Sequence, residues 1–146
     1  MIALIVSLSG CGQATTNPKE AAAIALVQRL GGKVELEGEG NDRTVVKVYL
    51  HNTAVKNEDM ETIGSLGNLR NLFLGNAKIG DAGVEHLKNA GKLVTLSLNS
   101  TQVTDAGLES LTGLSKLKTL NLQETKVSEA GALKLKQAIP GLTIAR

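Results

Sequence analysis

Apolar residues recur along this chain in a fixed phrase: leucine, two residues, leucine, one residue, leucine. Leu69, Leu72 and Leu74 carry it, and Leu93, Leu96, Leu98 and then Leu117, Leu120, Leu122 repeat it, each copy 24 residues after the last. Val45, Val48 and Leu50 keep the same phase one period upstream. The second half of each period spaces its apolar residues by three: Met60, Ile63, Leu66; Val84, Leu87, Ala90; Leu108, Leu111, Leu114; Ala132, Leu135, Ala138. Alternation predicts a short strand, and spacing by three predicts a short helical turn. Units of this length cannot bury an apolar face alone and must stack on one another. The pattern therefore predicts an α/β solenoid with parallel strands about 4.8 Å apart on its concave side. Short convex helices are expected over 81–89, 105–111 and 129–137, with Thr104 and Ser128 as caps and Asp81, Asp105 and Glu129 favourable to the helix dipoles.

Four repeats start at residues 45, 69, 93 and 117, and the fourth gains a residue around Ile139-Pro140-Gly141. Upstream, Asn17-Pro18-Lys19-Glu20 reads as a helix start: Asn caps, Pro is tolerated in the first turn, and Glu20 closes a capping box. Ala23, Leu26, Val27 and Leu30 share one face, and Gly31-Gly32 ends the helix. Val34 and Leu36 alternate with Lys33, Glu35 and Glu37 as a short strand, and a loop over 38–42 follows. The organisation expected is a leader over 1–11, a polar tether over 12–17, an N-terminal helix–strand cap over 18–44, repeats over 45–141 and a last strand over 142–146.

With these residues in view, the repeats resemble the leucine-rich repeat family. Val103-Thr-Asp-Ala-Gly-Leu108 is similar to the Thr-Asp-x-Gly-Leu signature of its cysteine-containing-type subclass. The resemblance covers the repeats and implies a short horseshoe arc that presents a binding surface. Bacterial envelope proteins built as a signal, a small cap and several such repeats share the pattern. The chain's first residues resemble a lipoprotein signal. An apolar run leads into Leu8-Ser9-Gly10-Cys11, which matches a lipobox with the chain's one cysteine in the lipidated place. No Lys or Arg precedes that run, and it is shorter than most signals. The resemblance implies removal of residues 1–10 and anchoring through lipid on Cys11. The other reading of the segment is an apolar tail with Cys11 an ordinary thiol.

Composition narrows the function classes. One Tyr, one Phe and no Trp suit a stack of aliphatic layers better than a globular core. The net charge is +2, the basic residues form no tract, and aromatics do not interleave with them, so the footprint of a nucleic-acid binder is absent. One cysteine excludes an intramolecular disulfide and a multi-thiolate zinc site. His51 follows a strand and His86 lies on a convex helix, neither with a partner at catalytic spacing. No cofactor is expected. Gly83, Gly107 and Gly131 align where a side chain would not fit, and Thr53, Thr101 and Thr125 align where hydroxyls satisfy loop backbone.

The concave face is the expected binding surface. Its positions are Lys47, Tyr49, His51; Asn71, Phe73, Gly75; Thr95, Ser97, Asn99; and Thr119, Asn121, Gln123. Tyr49 and Phe73 occupy equivalent places in adjacent strands, as an anchor for a protein partner or as cross-strand packing. Six short strands present on the order of 400 Å², about half of what one partner contributes to a standard interface. The function expected is therefore a non-catalytic, monomeric protein-binding module at the cell envelope, its affinity helped by the rims or by membrane avidity. An inert envelope spacer and a soluble cytoplasmic adaptor are the alternatives, with an enzyme using His51 and Lys47 more remote.

Overall fold

A computed structural model describes residues 4–5 and 17–146, so Cys11 and its lipobox lie outside the described residues. Among the described residues one seven-stranded sheet runs in sequence order. It comprises β1 (Leu4–Ile5), β2 (Lys33–Glu37), β3 (Thr44–Tyr49), β4 (Asn71–Phe73), β5 (Thr95–Ser97), β6 (Thr119–Asn121) and β7 (Thr143–Ala145). α1 (Pro18–Arg29) precedes β2, and α2 (Met60–Gly64), α3 (Asp81–Glu85), α4 (Asp105–Glu109) and α5 (Glu129–Ala138) each follow a strand of the repeat. The fold is an open leucine-rich-repeat arc, as the period predicted.

Strands β3 to β7 are parallel and keep a 24-residue register: Val48, Leu72, Leu96, Leu120 and Ile144 stand side by side. The first four have at most a trace of exposed surface and Ile144 is partly buried, so each leucine of the phrase packs on its copies above and below. A further column, Val55, Ile79, Val103 and Val127, closes the core at the turn into each helix. Three hydroxyls act as expected: Thr53, Thr101 and Thr125 donate to the carbonyls of Leu50, Leu98 and Leu122 at 2.6–2.7 Å.

Four expectations need correction. β2 runs antiparallel to β3, because the connection over 38–43 is too short for the crossover a parallel pair requires. The convex helices α3 and α4 stop after five residues. Beyond them the chain turns on bonds from residue i to i+3, such as Leu87 N–H to the Val84 carbonyl at 2.9 Å and Leu111 N–H to Leu108 at 3.0 Å. Such bonds suit a tight turn back to the next strand. In the fourth repeat Ile139 rather than Ala138 fills the buried slot: Ile139 is 2% exposed and Ala138 lies on the surface. The residue gained there is given back before β7, so Thr143 pairs with Thr119 in ordinary register.

The fourth correction concerns α1. Asn17 caps it, its Oδ1 accepting from Lys19 N–H at 3.0 Å, and Gly31 takes φ +77 after its last turn. Glu20 does not face solvent as a capping-box residue would. It is 2% exposed, and its Oε2 accepts from Val45 N–H at 2.7 Å, fastening α1 to β3. Burial pushes the Glu20 carboxyl above its usual range, partly offset by the Val45 bond.

Candidate functional site

The strand register brings the expected surface together. Lys47, Asn71, Thr95 and Thr119 form one row across the sheet, and Tyr49, Phe73, Ser97 and Asn121 form the next. His51 and Gly75 follow the ends of β3 and β4, and Asn99 and Gln123 follow β5 and β6. His51, Thr119 and Gln123 are exposed, Gly75 is buried and the others are half-buried.

Tyr49 and Phe73 stack with ring centroids 4.9 Å apart and planes within 6°. Such a pair contributes about 0.5–1.5 kcal/mol beyond area burial, so part of its role is to hold β3 against β4. The stack is also polarised by a residue that the sequence reading left off this face. Glu35 on β2 lies opposite Lys47, and its two oxygens are used separately. Oε1 accepts from the Tyr49 hydroxyl at 2.8 Å, and Oε2 pairs with Lys47 Nζ at 2.8 Å. The Lys47 bond, helped by the Tyr49 hydroxyl, holds the Glu35 carboxyl below its usual range; the same bond holds the Lys47 ammonium above its own. Burial and the Glu35 bond push the Tyr49 phenol up. The alternation of Lys33, Glu35 and Glu37 against Val34 and Leu36 was the available signal. Glu37 accordingly pairs with Arg70 at 2.6 Å on the adjoining rim.

Toward β5 and β6 the face changes to small neutral groups. The Ser97 hydroxyl donates to Asn99 Oδ1 at 2.8 Å, and Asn121 Oδ1 accepts from Gln123 N–H at 3.0 Å. One rim is made by four residues in left-handed conformation, Asn52, Asn76, Ser100 and Glu124, with φ 58, 59, 55 and 56. Asn76 Nδ2 donates to Asn52 Oδ1 at 2.9 Å and the Ser100 hydroxyl to Glu124 Oε2 at 2.6 Å. Their spacing of 24 and the two asparagines, which tolerate left-handed backbone, were the sequence signals.

The arrangement is suited to recognition. The Glu35 bond holds the Lys47 ammonium above its usual range, which disfavours the neutral amine that an enzyme using Lys47 with His51 would need. His86 caps α3 on the convex side and does not join His51. Among the described residues no group of three or more His, Cys, Asp or Glu stands together as metal ligands, and no helix is long and apolar enough to cross a membrane.

The aligned glycines belong to a convex ladder. Asn57 Oδ1 accepts from Gly80 N–H at 2.9 Å. Asp81 accepts from the N–H and hydroxyl of Thr104 at 2.8 and 2.6 Å, and Asp105 accepts from the same two groups of Ser128. A Cβ on Gly83 would stand 2.6 Å from Asn57 Oδ1, one on Gly107 2.5 Å from Asp81 Oδ1, and one on Gly131 would strike the Asp105 carboxylate. Asp81 and Asp105 thus hold the next repeat's helix start as well as beginning their own helices.

Residues 92–111 match the family described as Leucine Rich repeat. No curated protein matches the chain. Among solved structures, the leucine-rich-repeat ectodomain of the receptor kinase SOBIR1 from Arabidopsis thaliana is similar over 91% of this chain and 93% of its own, at 12% identity and TM-score 0.50. An internalin from Listeria monocytogenes is similar over 68% of this chain at 20% identity and TM-score 0.46, and the chain spans 34% of that protein's length. The repeat match and the ectodomain's likeness agree with the strand register on a single fold, that of the leucine-rich-repeat solenoids.

Proposed function

We propose that this chain is a non-catalytic protein-binding module that recognises its partner through the concave sheet and is presented at the cell envelope by lipid on Cys11, in a form from which residues 1–10, and with them β1, have been removed. The observation that carries the binding reading is the Tyr49–Phe73 stack, half-exposed on an otherwise small and polar surface. Aromatics set among polar groups are typical anchors of protein contacts, and solenoids use their concave surfaces for binding. Lys47, Asn71, Ser97, Asn99, Asn121, Gln123 and His51 would supply the surrounding polar contacts. The area, on the order of 400 Å² by strand spacing, favours a modest monovalent affinity raised by anchoring.

The binding reading is tested by purifying the protein from its native cells with Phe73→Asp or, as control, Glu109→Lys on the exposed convex side. A defined protein lost with the first and kept with the second supports the reading; equal retention in both contradicts it. The anchor is tested by feeding cells an alkyne-bearing palmitate. Label on the wild type and none on Cys11→Ser supports it, and no label on either removes it.

A specific observation favours a second reading. Tyr49 is tied to Glu35 and stacked on Phe73, which serves the sheet without any ligand. On that reading the module is an envelope spacer, and neither substitution changes what is recovered.

A further inference from the structure

We infer that the anchor point on the concave face is a hollow beside Phe73, and that it takes one neutral apolar side chain, of leucine or phenylalanine size, from the partner. This rests on the protein-binding reading above and specifies its chemistry. The register places Tyr49 on one flank of Phe73 and Ser97 on the other. Tyr49 covers the first ring face by stacking. Ser97 is too small to cover the second, and the space left is a depression of about 280 Å³ bordered by Phe73, Gly75, Ser97, Asn99, Asn76 and His51. That is just below the roughly 300–1,000 Å³ typical of small-molecule and cofactor sites, and ample for one side chain.

The lining selects against charge. It contains no Lys, Arg, Asp or Glu, and Glu35 and Lys47 on the adjoining strands pair with each other at 2.8 Å. A charged side chain would lose water here and gain no opposite charge. An apolar one would cover the ring face. Hydrogen-bonding capacity for the partner's backbone is present at the border. Asn99 uses its Oδ1 for Ser97, and Asn76 uses its Nδ2 for Asn52, which leaves Asn99 Nδ2 as a donor and Asn76 Oδ1 as an acceptor.

Gly75 keeps the hollow open. Its backbone is not left-handed, and a Cβ there would stand 2.5 Å from Asn99 Oδ1, the mobile end of a side chain. Gly75→Val needs no left-handed backbone, but its side chain must push Asn99 aside, breaking the Ser97–Asn99 bond, as it fills the space.

The test is a titration of the full ¹⁵N-labelled chain with N-acetyl-leucine methylamide and N-acetyl-phenylalanine methylamide, with N-acetyl-lysine methylamide and N-acetylglucosamine as comparators. The expected result is saturable shift of the Gly75, Ser97 and Asn99 amides by the first two probes only. Gly75→Val should weaken them by about tenfold or more, the equivalent of one buried leucine. Ser97→Leu fills the same space from the opposite flank and serves if the first variant misfolds. Shifts by the sugar alone, shifts scattered over the convex side, or no shift at these amides would overturn the inference. If Phe73 proves to contact a partner while the hollow takes no apolar probe, the binding reading stands and this inference falls. If the probes bind as described and no partner depends on Phe73, the hollow's preference for apolar groups stands, while the binding reading falls and with it the claim that a partner's side chain fills the hollow.

Discussion

Glu20 shows how one side chain can mislead a sequence reading. Its place three residues after Asn17 fits a capping box, yet its partner is Val45 N–H, 25 positions away and brought near by the packing of α1 on β3. Burial raises its folded-state pKa above the unfolded value, with the Val45 bond offsetting part of the shift. A group with a raised pKa contributes stability below its unfolded pKa and loses it as pH rises through the folded one. Stability should accordingly fall as pH rises from the ordinary glutamate range toward neutrality, and Glu20→Gln should flatten that slope. Urea midpoints measured at several pH values would show it. Glu124 poses a different problem, since it stands at φ 56 where the equivalent residues two and three repeats upstream are asparagines. A left-handed conformation costs a side-chain-bearing residue on the order of 1 kcal/mol, and asparagine less. Glu124→Asn should raise stability by about 0.5 kcal/mol, after loss of the Ser100 bond, as a higher urea midpoint with unchanged slope.

The convex ladder couples one helix start to the next. The sequence pattern made Gly83, Gly107 and Gly131 visible as tight places, but not what crowded them. That required seeing Asn57, Asp81 and Asp105 as a second column 26 residues upstream of the glycines. Gly107→Ala should destabilise by about 1–3 kcal/mol, the usual cost of forcing an atom into filled space, because its Cβ would stand 2.5 Å from Asp81 Oδ1 and 3.3 Å from Asp81 Cα. Asp105 adds a pH dependence of opposite sign to that of Glu20. The Ser128 hydroxyl and N–H lower its carboxyl below the ordinary aspartate range. A depressed pKa contributes stability above the unfolded value and loses it as pH falls through the folded one. Acid unfolding should therefore begin at higher pH in Ser128→Ala than in the wild type. Helix length was less legible than helix position, because spacing by three continues into the turns after α3 and α4 without a break.

For the molecule as a whole, the period of 24 contained nearly all of the architecture: strand order, parallel register and the leucine columns follow from it. It stopped being informative where the chain departs from repetition. β2 joins the sheet antiparallel through a short loop, and its outward Glu35 then becomes part of the candidate site, a pairing that no repeat spacing encodes. Because each repeat contacts only its neighbours, damage at the centre should unfold more than damage at the surface. Leu96→Ala, at a position with no exposed area, should cost about 2–5 kcal/mol, while Leu133→Ala, 56% exposed, should leave the thermal midpoint unchanged. Partner binding by the concave face calls for photo-cross-linking in the native cell from a probe at position 73, with a second probe at position 109 on the convex side. A discrete protein adduct from 73 that is missing from 109 is the expected result. Abundant protein with no adduct at 73, or the same adducts from both positions, would contradict it.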